Sequence, residues 1–161
     1  MNDWVWTSIL LLIFSLIVIP LGIKFKFLRI EIPQISFTVI FRLSLVTLIF
    51  PATAEEIFFR IILLPHKFEQ VPLIYQFIWA SISLILFIIY HPLNATLFIQ
   101  SARTIFNNFV FLTSAGFLGI ICTIAYLKSG SIYPSITLHW VIVLVWLLVF
   151  GGYQSLHNLS K

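Results

Sequence analysis

The chain has 161 residues, 61% of them apolar and only 9% charged, against about 45–50% and about 25% in a soluble domain, so a water-soluble fold of this size is excluded. Nine Lys and Arg against five Asp and Glu give a net charge of +4. The bases are scattered at the ends of apolar stretches, as topology signals are, and not gathered into a nucleic-acid groove, so no polynucleotide partner is expected. Cys122 is the single cysteine and lies inside an apolar stretch, which rules out disulfides, cysteine-rich metal sites and dithiol redox chemistry.

Long stretches almost free of charge recur at 5–23, 37–50, 73–90, 109–127 and 134–150. About 20 apolar residues cross a bilayer core as a helix. The apolar residues run continuously instead of alternating with polar ones, which excludes a membrane β-barrel. The predicted class is all-α, a multi-pass transmembrane bundle of about five to six helices in contact with membrane lipid.

The first helix is predicted over 5–23, with Trp4 and Trp6 as interface anchors. It differs from a cleaved secretory signal because residues 1–6 carry no basic side chain, and Lys24, Lys26 and Arg29 stand where a small-residue cleavage site belongs. With the basic loop that follows, it makes an N-terminal unit, residues 1–34. The second helical region, 35–64, is interrupted near Pro51, which kinks or divides it. Pro65 and Pro72 bracket a polar loop. A third helix then runs towards His91 and Pro92, and residues 94–108 read as a loop or interfacial helix. A fourth helix ends near Lys128, Ser129-Gly130-Ser131 makes a tight turn, and a fifth helix begins at Pro134. Residues 35–150 form the core, and residues 151–161 are expected to be a flexible tail. Lys24, Lys26, Arg29 and Arg103 fall on one side of the membrane and Lys67 and Lys128 on the other, a bias that favours an outside N-terminus.

Polar residues in such a chain need a reason. A carboxylate at the bilayer centre costs about 2.5–3.5 kcal/mol or more, and Glu55 and Glu56 are adjacent just after Pro51. On a helix Glu56 and Arg60 pair across one turn, while Glu55 points about 100° away without that partner. One carboxylate reads as structural and the other as available to act as a base. The alternative is a helix end at the interface, where both acids reach water and suit a helix N-terminus. His91 and His139 lie on or beside apolar helices. Each alone reads as a hydrogen-bonded packing residue, but the two together with paired glutamates suggest a site. His66 and His157 are expected to be solvated.

Glu55-Glu56-x-x-x-Arg60, then Phe87-x-x-x-His91, then His139 after Lys128-Ser129-Gly130-Ser131-Ile132-Tyr133-Pro134, resemble in order the three motifs of the CAAX protease and bacteriocin-processing family. That family, also called CPBP or Abi, includes the type II CAAX prenyl endopeptidases. The resemblance covers residues 37–150. It implies an intramembrane, glutamate-dependent peptidase acting on a peptide or membrane-associated protein, with no cofactor. Glu55 would activate water with help from His91, Glu56 and Arg60 would hold the region in place, and His139 would stabilise the oxyanion.

One position departs from the pattern. Four residues after the third-motif histidine the family usually has asparagine or a similar polar residue, and here it is Val143, which cannot donate a hydrogen bond. Ser135 and Asn94 are candidate substitutes. The motifs also demand that His91 and His139 meet at one depth, so the third helix is expected to continue through Pro92 to about Phe98. Two other readings are open. One is a zinc peptidase with His91, His139 and a glutamate as ligands, although the chain lacks a His-Glu-x-x-His helix. The other is a non-catalytic membrane partner, an immunity or regulatory protein, which Val143 favours.

Overall fold

The computed structural model describes residues 2–158; residues 159–161 of the expected tail lie outside the described residues. Asn2 caps α1 (Asp3–Lys24) by accepting from the Trp4 amide at 3.1 Å. Ser36 caps α2 (Phe37–Thr47), accepting from the Val39 amide at 3.4 Å. The helical path then widens into π-type turns at Leu48–Thr53 and again at Ile57–Ile62, leaving one α turn, α3 (Ala54–Glu56), between them. The break sits at Phe50, whose backbone is extended (φ −127°, ψ 119°). Proline's ring disfavours helical geometry in the residue before it and supplies no N–H of its own. The chain therefore changes direction one turn before Glu55.

The third long helix, α4 (Leu73–Leu97), runs without a break through His91 and Pro92, as the depth argument requires. After it come a 3₁₀ turn at Gln100–Ala102 and the short α5 (Arg103–Phe106). Asn108 caps α6 (Phe109–Ser129), and Gly130, at φ 72°, ends it in the left-handed conformation that glycine takes at least cost. Next come α7 (Tyr133–Val149) and α8 (Gly152–Asn158). The tail expected to be flexible from Gly151 is thus helical over α8. Leu156 on that helix reaches the wall of the central cavity, and this contact with apolar side chains gives the segment a reason to fold that its local sequence does not reveal.

Four helices are long and apolar enough to cross a membrane, and α7 is a shorter apolar helix. With the family described below, this makes the chain an integral, multi-pass membrane protein. The central helix is α6, packed on α1, α4 and α7. Gly119 permits the approach of α4: a Cβ there would lie 2.8 Å from Leu84 Cδ1 and 3.2 Å from Phe87 Cδ1, the close packing that small residues provide between membrane helices. Large apolar side chains such as Leu73, Phe77, Ile85 and Ile89 of α4 point outward, while Ser83, Phe87, His91 and Ala95 form its buried stripe.

Lys67 and Lys128 come together at one end of the bundle. Lys67 donates to the Lys128 carbonyl at 2.8 Å, and the Lys128 ammonium lies 3.3 Å from the centre of the Trp6 ring. His66, expected to be solvated, instead bonds the Gly130 carbonyl at 3.0 Å and tethers the 65–72 loop to the end of α6. At the other end, the segment after α1 crosses the end of α7, with the Glu31 amide donating to the Val149 carbonyl at 2.9 Å.

Candidate active site

A cavity of about 470 Å³ opens between α1, the Pro51 turn, α4, α6 and α7. Its wall is apolar apart from a few groups, among them Glu55, His91, His139, Tyr90 and Asn94. The three residues expected to meet therefore share one space. Glu55 and His139 come within reach of each other, with Glu55 Oε2 3.8 Å from His139 Nε2. That oxygen is buried and accepts no hydrogen bond from the described residues.

His91 stands one ring further away. The Phe87 ring centre lies 4.9 Å from the His91 ring and 6.0 Å from the His139 ring, edge-on to both, and no hydrogen bond joins His91 to Glu55 or His139 among the described residues. Its Nδ1 bonds the Phe87 carbonyl at 2.8 Å. Because a carbonyl only accepts, Nδ1 carries a proton, and in the uncharged form of the ring Nε2 is an acceptor. Phe106 and Phe111 complete the surround, 5.8 and 5.3 Å from the His91 ring.

Behind the wall is a fully buried polar cluster. Glu56 and Arg60 pair at 3.1 Å, both with no solvent exposure, in a Coulomb contact whose angle is too poor for an aligned hydrogen bond. The guanidinium is otherwise well supplied with partners. Nη1 donates to Ser83 Oγ at 3.2 Å and to the Phe59 carbonyl at 3.4 Å, Nη2 to the Gly119 carbonyl at 3.3 Å, and the group stands 5.4 Å over the Phe87 ring. Ser83 in turn donates to the Phe59 carbonyl at 2.7 Å.

The i,i+4 spacing accounts for the Glu56–Arg60 pair but says nothing of the second bond Glu56 makes, from Oε1 to His139 Nδ1 at 2.9 Å. This carboxylate therefore links Arg60 to His139 and fixes which imidazole nitrogen carries the inner proton, turning Nε2 towards Glu55 and the cavity. Ser83 and the Gly119 carbonyl were also not among the expected site residues. The signal for Ser83 was present, since it precedes Phe87 and His91 by four and eight residues on the same helix stripe. The carbonyl leaves no trace in a sequence.

Of the two proposed substitutes for the donor missing at Val143, the structure removes one. Ser135 is fully buried, its hydroxyl donates to the Cys122 carbonyl at 2.8 Å, and it does not line the cavity. It starts α7 on the face turned to α6, which spacing from His139 alone could not reveal. Asn94 does line the cavity, as does Val143 itself. Among the described residues, no three His, Cys, Asp or Glu side chains group closely enough to hold a metal ion.

No curated protein and no solved structure matches the chain. A family model described as type II CAAX prenyl endopeptidase Rce1-like matches residues 36–145. The matched stretch covers more than half of the sequence and runs from the cap of α2 into α7, and it takes in Glu55, Glu56, Arg60, His91 and His139. The chain belongs to the Rce1-like family of type II CAAX prenyl endopeptidases, and is by family a membrane protease.

Proposed function

We propose that this protein is an intramembrane endopeptidase that hydrolyses a peptide bond with a water activated by Glu55. The observation that carries this reading is the unsatisfied Glu55 Oε2, buried on an apolar cavity wall with His139 Nε2 3.8 Å away. A buried carboxylate oxygen that accepts no hydrogen bond is costly to retain, and as a proton acceptor it has a use.

Glu55 takes a proton from water while His91 Nε2 accepts the second O–H and orients the attack. The hydroxide adds to the scissile carbonyl carbon, and the electron pair of the C=O bond moves onto oxygen. His139 is held from behind by Glu56 and, with a proton on Nε2, donates to that oxyanion. When the intermediate collapses, the C–N bond breaks, and the proton on Glu55 passes to the leaving amine. The apolar wall suits a substrate with a hydrophobic segment or a lipid chain, and the chemistry itself does not require prenylation.

The test is cleavage by the purified protein in detergent of a farnesylated, internally quenched C-terminal peptide and of an unprenylated peptide library read by mass spectrometry. Parent and Glu55→Ala proteins are assayed together. Cleavage that disappears in the variant is expected, and equal cleavage by both would refute the reading. A parent protein that cleaves nothing would turn the conclusion to a non-catalytic membrane partner, the reading that Val143 on the cavity wall favours.

The zinc variant has its own test. Turnover is expected to be unchanged after treatment with EDTA or 1,10-phenanthroline. Inhibition reversed by added Zn²⁺ would instead assign His91, His139 and a glutamate as ligands.

A further inference from the structure

Val143 follows His139 by one helical turn and faces the same cavity, so this position adds no second donor to His139 where the oxyanion would form. Most hydroxyls on that wall are already committed. Ser15 donates to the Leu11 carbonyl at 2.8 Å, Thr47 to Leu43 at 2.8 Å and Ser114 to Val110 at 2.7 Å. The Trp146 indole lies two turns beyond His139, stacked on Phe27 at 6.5 Å.

Tyr90 differs from these. With Phe87, His91 and Asn94 it occupies one face of α4, at offsets of three, four and seven residues, and it lines the cavity with His91 and Asn94. Asn94 Nδ2 donates to the Tyr90 phenol oxygen at 3.2 Å. The oxygen is thus engaged as an acceptor, while its own O–H donates to no other group among the described residues. The ring is fixed edge-on by Phe59 and His91, each 5.8 Å away, so the hydroxyl is held on a stiff support. Accepting one hydrogen bond polarises a hydroxyl and strengthens the bond it donates.

We propose that Tyr90 is a catalytic residue, its phenol donating to the oxyanion the hydrogen bond that Val143 cannot, and that Asn94 is the residue that positions and polarises it. The inference rests on the peptidase reading, and its test separates the two. Parent, Tyr90→Phe, Val143→Asn, Asn94→Ala and the Tyr90→Phe combinations with each of the other two are assayed on the farnesylated quenched peptide, with melting curves in the same detergent.

Tyr90→Phe removes one oxygen and keeps the ring, so kcat should fall on the order of 10²–10³-fold, the effect of losing one oxyanion donor, with KM and Tm near parent values. In the Tyr90→Phe background Val143→Asn should restore about tenfold or more of the loss. Asn94→Ala should lower kcat in the parent and have no effect once the phenol is gone, the non-additivity of residues acting through one group. Parent-level kcat in Tyr90→Phe while Glu55→Gln is inactive would overturn the proposal and leave the peptidase reading standing. A loss of kcat that follows Tm and is not rescued at position 143 would make Tyr90 part of the wall and overturn it too. An Asn94→Ala effect of equal size in both backgrounds would overturn the role given to Asn94. A parent protein that cleaves neither this peptide nor the unprenylated library would remove the peptidase reading and this proposal with it.

Discussion

Glu55→Gln should lower kcat by at least about 10²-fold, the low end of what a general base contributes, while the protein folds and inserts as before. The amide keeps the shape of the side chain and can still hydrogen-bond, but it cannot take a proton from water. Glu55 makes no ion pair tighter than the 3.8 Å approach of His139, so little native interaction is lost. A neutral amide is also cheaper to bury than a carboxylate, and the melting temperature in detergent should hold or rise. Steady-state turnover and a melting curve on the same preparation check both halves. Full activity in this variant would remove Glu55 from the chemistry.

The neighbouring glutamate should behave in the opposite way. Glu56 touches Arg60 and His139 at once, at 3.1 and 2.9 Å, and none of the three side chains is more than 1% exposed. Glu56→Gln leaves the guanidinium charged in a place without water, and breaking a buried pair from one side typically costs about 3–5 kcal/mol. Ser83 and the two carbonyls around Arg60 satisfy its hydrogens but do not cancel its charge. The melting temperature should fall clearly. Activity should fall as well, because His139 loses the anion that holds its inner proton, so the signature is a joint loss of stability and turnover. A stability loss that followed Glu55 and spared Glu56 would contradict this division of labour.

The sequence disclosed the parts of the site that obey spacing. Four residues between Glu56 and Arg60 place both on one helix face, and the same rule groups Ser83, Phe87 and His91. Composition and unbroken apolar runs were enough for the membrane class and for five of the helices. The requirement that His91 and His139 meet forced α4 through Pro92, although a proline beside a histidine reads locally as a helix end. What spacing cannot give is contact between helices far apart in the chain. The bond from Glu56 to His139 joins residues 83 apart, and that from Arg60 to the Gly119 carbonyl joins residues 59 apart. Ser135 shows the same limit in reverse. It lies four residues before His139 yet faces α6, and a hydroxyl near in sequence proved to be committed elsewhere. Helix α8 was missed because its folding depends on the apolar surface it meets.

The residues that match the family supply only part of the cavity wall. Every member of the polar cluster falls inside the matched residues 36–145, whereas Leu11, Phe14, Val18 and Phe27, which close the opposite side, belong to α1 and the loop after it. Those side chains make no hydrogen bond or ion pair with Glu55, Glu56, Arg60 or His139, so enlarging or shrinking them reshapes the chamber without removing a bond of that polar cluster. The shape of the chamber can therefore change through the first thirty residues or so while the polar cluster keeps its bonds.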